Sequence, residues 1–131
     1  MTQHVQFLIR DCDGTHHSFA NIAYIFAKEK FKFINGYWFY KKGENNAWNK
    51  DEYDAHIRYF LSTFVFDKFH EVAFLLSKKI DEYDHDAIRV CLQQKIDIVI
   101  RMSQLLKDNE FKKNVISEMR DLFIVEQSFQ K

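Results

Sequence analysis

Two hydrophobic periods run along this chain. Between Phe31 and Tyr40 apolar residues flank Asn35-Gly36 on both sides. Asn-Gly between two such runs predicts a tight hairpin, because a type I′ turn needs positive φ at both central residues. Closed there, the hairpin sets Phe33 opposite Trp38 and Phe31 opposite Tyr40 on one face. Lys32, Ile34, Tyr37 and Phe39 fall on the other. Both faces are largely apolar, which predicts a hairpin covered on both sides.

Elsewhere the period is helical. Val5, Phe7, Leu8 and Ile9 suit a leading helix or an extended arm over residues 3–12, and Asp11 to Thr15 reads as a turn. Ser18 is the expected N-cap of a helix to about Glu29, with Phe19, Ile22, Ala23, Phe26 and Ala27 on one face. After the hairpin, a polar turn from Lys41 to Asn46 leads into a brief third strand at Trp48. Asn49 and Glu52 have the spacing of a capping box that opens the helical half. Tyr53, Ile57, Phe60, Leu61 and Phe64 keep helical spacing, and Phe69, Val72, Ala73, Leu76, Ile80 and Tyr83 resume it. Val65 and Phe66 break the phase, so the stripe rotates or the helix bends there. Asp84 is the expected cap of a helix burying Ile88, Cys91, Leu92, Ile96, Val99, Met102 and Leu106. Asn109 is the expected cap of a last helix carrying Phe111, Val115, Met119, Leu122 and Phe123.

The chain has 131 residues, 47% hydrophobic and 17% aromatic, which suits one folded domain with a core built on its 14 phenylalanines. With no proline and three glycines, long helices are expected. The predicted fold is mainly α, of the α+β kind. Residues 1–48 supply a helix and a small antiparallel aromatic sheet of two or three strands, and residues 49–126 supply three helices. No stretch approaches the ~20 apolar residues of a membrane span. Cys12 and Cys91 share no CxxC spacing, so reduced thiols in an intracellular setting are expected.

Lys and Arg balance Asp and Glu at 19 each, which argues against a dedicated nucleic-acid coat. A local excess remains: Lys28, Lys30, Lys32, Lys41 and Lys42 face one acid, Glu29. These lysines suit either protection of a solvated sheet edge or contact with nucleic-acid phosphates. Trp38 and Trp48 are able to stack on bases, but burial of so large a ring is the stronger expectation. They are therefore assigned to the structure with Phe31, Phe33 and Tyr40, leaving Tyr37 and Phe39 to meet a ligand or a neighbouring subunit. Lys112 and Lys113 fall in the first turn of the last helix, as a solvated face or as a phosphate contact. Cys12, Asp13, His16 and His17 lack the paired spacing of a zinc site, and His56 and His70 are nearly four turns apart, so neither metal nor cofactor is expected. No nucleophile motif and no GxxxxGK[ST] loop occur, so this polypeptide is not expected to hydrolyse ATP.

Two blocks carry a resemblance. The first runs from Ile22 to Glu52: a helix, Lys30-Phe31-Lys32-Phe33, Tyr37-Trp38-Phe39-Tyr40, then Trp48 before an acidic helix start. The second is Leu105-Leu106-Lys107-Asp108-Asn109-Glu110-Phe111-Lys112-Lys113-Asn114-Val115, continuing to Glu118-Met119 and Leu122-Phe123. Together they resemble the poxvirus-type primase-helicase N-terminal-like domain, which precedes the superfamily 3 helicase of large DNA viruses, phages and mobile elements. The blocks cover roughly half of the chain in the family's order, and the middle matches only as amphipathic helix. The family's proteins continue into an ATPase, so the resemblance implies a piece of such a protein or a standalone relative. It also implies a noncatalytic domain that links primase to ATPase and supports ring assembly of several copies or loading on DNA. Its partners would be the helicase and primase domains and weakly held, single-stranded or sequence-independent DNA. Its setting would be the cytoplasmic or nuclear replication site of an infected cell. A standalone module that binds a replication partner through exposed aromatic residues is the alternative.

Overall fold

A computed structural model describes residues 1–43 and 47–129, without the side chains of residues 126–129. The fold is mainly helical with a small antiparallel sheet near the N-terminus. Helices α1 (Gln3–Arg10) and α2 (His16–Ala27) lead into strands β1 (Phe31–Ile34), β2 (Tyr37–Lys41) and β3 (Trp48–Lys50). A 3-10 turn, Glu52–Asp54, then opens a long helical segment: α3 (Ala55–Phe60), a π-turn (Leu61–Val65) and α4 (Phe66–Ile80). Helices α5 (Asp86–Leu105) and α6 (Asn109–Phe129) complete the described residues.

The hairpin closes as its sequence requires. Asn35 and Gly36 have φ of 54° and 84°. The register pairs Phe31 with Tyr40 and Phe33 with Trp38, and β3 adds to β2 through Lys41–Trp48 and Phe39–Lys50. Phe31, Phe33 and Trp38 are buried. From this face a network of rings enters the helices. Trp38 meets Phe123 of α6 edge-on at 5.0 Å, and Phe31 meets Phe60 of α3 at 5.1 Å. Phe60 stacks on Phe64, and Phe19 of α2 stacks on Phe69 of α4. The opposite face departs from the expectation of a doubly covered hairpin: Ile34 and Phe39 are half-buried, and Tyr37 is 53% exposed.

The phase break in the long helical segment has a geometric cause. Ile57, Leu61, Val65 and Phe69 are fully buried and four residues apart. At 3.6 residues per turn such a stripe drifts by about 40° each step. One wide π-turn takes up the excess and returns the stripe to the core. The Ser62 carbonyl in that turn accepts from Lys107 Nζ at 2.8 Å, so the widened backbone is tied to the α5–α6 junction.

Several expected helix starts and faces are corrected. Thr15, not Ser18, caps α2, its hydroxyl accepting from the Ser18 N–H at 3.1 Å. Asn49 lies in β3, and Asp51 caps α3 instead. Its two carboxylate oxygens accept from the His56 and Ile57 N–H groups at 2.7 and 2.9 Å. Asp84 makes no cap, since α5 begins after His85 without a side-chain bond, and Asp108 rather than Asn109 accepts from the Phe111 N–H. Tyr53 leaves the predicted stripe: it is 89% exposed and, like Asp54, left-handed. Tyr83, Ile88 and Cys91 are exposed too, so the first turns of α5 lie outside the core. The predicted polar turn through Asn46 lies partly outside the described residues.

Candidate nucleic-acid interface

The uncovered side of the sheet follows from the two-residue period of its strands. Cross-strand pairing lines up Lys32, Phe39 and Lys50 in one row, with Lys41 and Trp48 in the next. Lysine ammonium groups lie over the aromatic faces. Lys32 Nζ is 4.2 Å and Lys41 Nζ 5.1 Å from the centre of the Trp48 ring, and Lys50 Nζ is 4.0 Å from that of Tyr37. Three rings and three cations therefore share a partly open face, where each cation–π contact is worth about 0.5–1 kcal/mol. A flat ring beside an ammonium group suits an unpaired base with its phosphate.

Trp48 consequently departs from its expected place in the core: it is half-buried on the outer face, while Trp38 is on the inner one. The predicted lysine patch is divided. Lys32 and Lys41 sit on the sheet's outer face, whereas Lys30 Nζ lies 3.9 Å from the centre of the Phe64 ring, beside α3 and the π-turn. Lys28 is exposed at the end of α2, and Lys42 is exposed beyond β2. Lys50 joins the face without having been singled out from the sequence. Its signal was its position two residues after Trp48, which places both on one side only if β3 extends to Lys50.

Lys112 and Lys113 do not form a joint phosphate site. Lys112 is 8% exposed, and its Nζ donates to Ser62 Oγ at 2.6 Å. Burial, then the nearby Arg58 and Lys107, hold its pKa below the usual lysine value, and Asp108 opposes them. Lys113 is exposed and lines a separate cleft of about 350 Å³ with Arg58 and Arg120. Asp54 and Glu110 line that cleft too, and Arg120 pairs with Asp54 at 3.3 Å.

The residues of the Cys12–His17 segment are engaged separately. Cys12 is buried, which raises its pKa, and its sulfur accepts from Ser18 Oγ at 3.5 Å. Asp13 accepts from Thr15, which lowers its pKa. His16 packs on Phe111, and His17 lies beside Asn21 and Glu118. Among the described residues no group of three or more His, Cys, Asp or Glu side chains is arranged to hold a metal ion. No helix among them is long and apolar enough to cross a membrane.

No family model, curated protein or solved structure matches the chain.

Proposed function

We propose that this chain is a noncatalytic module that holds single-stranded DNA on the outer face of its sheet. Its setting is a viral-type replicative primase-helicase, where it links primase to ATPase and supports ring assembly or DNA loading. The observation that carries DNA contact is the Trp48 ring lying beneath both Lys32 and Lys41, with Tyr37 beneath Lys50 further along the same face. Tyr37 is exposed and Trp48 half-buried, and both already carry the cations that phosphates need. The replicative setting is supported by the resemblance of the two sequence blocks.

A net charge of zero limits the affinity of a single copy, and several copies around one strand would multiply it. The test is fluorescence anisotropy of labelled oligo(dT) with the protein at low salt. Replacing Lys32, Lys41 and Lys50 by Glu should abolish binding while the circular dichroism spectrum is kept, and Trp48→Ala should weaken it by about tenfold. If the triple variant binds like the parent, these lysines only protect a sheet edge, and the protein-interaction reading takes over.

A further inference from the structure

Beside the sheet, where β2 ends against α3, a cleft of about 310 Å³ is lined mainly by rings. Phe31 and Phe60 form buried parts of its wall, and Tyr40, His56, Tyr59 and Phe64 are more accessible. Lys30 and Lys41 complete the lining, and neither has a carboxylate partner among the described residues. We propose that this cleft takes one nucleotide of a bound single strand, its base among the rings and its phosphate on Lys30 and Lys41. The proposal rests on the single-strand reading above and extends it to a second contact beside the sheet.

Size, chemistry and continuity support it. Small-molecule clefts span roughly 300–1,000 Å³, so this one suits a single nucleotide and little more. Tyr59 is 69% exposed and has no ring partner among the described residues, which leaves its face open to a base. His56 is stacked against Tyr40 at 3.7 Å, and its Nδ1 lies 3.1 Å from the buried Asp51 carboxylate. Because the carboxylate accepts, Nδ1 carries the proton, and Nε2 is left to read a base edge. Lys30 hovers over the Phe64 face, so an anion beside it would meet a cation already held in place. Lys41 belongs both to this cleft and to the Trp48 pair, which joins the cleft to the outer sheet face.

The test uses the 131-residue protein and 5′-dAMP, followed through backbone amide resonances. Saturable shifts are expected within Tyr59–Phe64, with much weaker binding of deoxyribose 5-phosphate, which keeps the phosphate and lacks the base. Tyr59→Ala should weaken dAMP binding by about tenfold, whereas Tyr59→Phe should keep it, because stacking needs the ring and not the hydroxyl. Oligo(dT) should displace dAMP. The proposal is overturned if no saturable shift appears, if deoxyribose 5-phosphate matches dAMP, if Tyr59→Ala binds like the parent, or if oligo(dT) leaves dAMP bound. Failure of the sheet-face reading looks different: oligo(dT) affinity would then be unmoved by Lys32→Glu and Lys50→Glu.

Discussion

Tyr37 and Trp38 are neighbours in sequence but opposite in environment. Trp38 is surrounded by Phe31, Phe33 and Phe123, while Tyr37 meets solvent and the Lys50 ammonium. Trp38→Ala leaves a large cavity and should cost about 3–5 kcal/mol of stability. Tyr37→Ala should cost under about 1 kcal/mol, the scale of an exposed cation–π contact. Urea midpoints in the reverse order would refute this assignment of faces. Trp38 was legible from sequence because Asn35-Gly36 fixes the register of the first hairpin. Trp48 was not, since the longer connection from β2 to β3 leaves the parity of the third strand open. Lys112 offers a second test at this scale. Its folded pKa is depressed, so the unfolded chain binds more protons between that lowered value and the ordinary lysine value of 10.5. Stability contributed by this group therefore rises with pH across that window and falls back below it. Relative to Lys112→Met, the parent should gain urea resistance as pH climbs through the window, and a parent that loses ground there would contradict the assignment.

Helices were easier to find than their ends. A stripe of apolar residues reports the buried face over several turns, so α2, α4 and α6 could be read from spacing. A cap depends on which few N–H groups the fold leaves open, and neighbouring Ser, Thr, Asn and Asp compete for them. Asp51 illustrates the difference. It is buried at the β3–α3 junction, where its carboxylate accepts from two backbone N–H groups and the His56 ring, while its own N–H donates to the Trp38 carbonyl at 2.8 Å. One side chain thus joins the start of the helical half to the sheet that carries the candidate interface. Asp51→Ala strips α3 of its cap and leaves the Ile57 N–H without its partner, which should cost about 2–3 kcal/mol. Asp51→Asn keeps one acceptor and should fall between, as read from thermal or urea unfolding. A variant as stable as the parent would mean that water replaces the cap without penalty. The π-turn was partly legible, because Val65 and Phe66 break the periodicity. The form of the break was not, since rotation, bending and a widened turn all shift the phase of a stripe.

For the whole molecule, balanced charge decides what kind of DNA contact is plausible. Positive and negative side chains cancel at 19 each, so no broad field draws in a polyanion. If the outer sheet face acts through Lys32, Lys41 and Lys50, about three phosphates are neutralised, and the logarithm of affinity should fall with that of salt at a slope of about −2 for a single strand. Duplex DNA presents a denser row of phosphates, so a site that senses charge alone should prefer the duplex. Stacking on Trp48 and Tyr37 reverses that preference, because a duplex keeps its base faces covered while a single strand offers them at ~1–3 kcal/mol each. The protein should therefore bind a single strand more tightly than a duplex of equal length, and the gap should widen as salt rises and only stacking remains. Anisotropy with matched single- and double-stranded oligonucleotides across a salt series measures this directly. Equal or tighter duplex binding would mean that the rings take no part, and the face would then be a lysine-protected sheet edge rather than a strand platform.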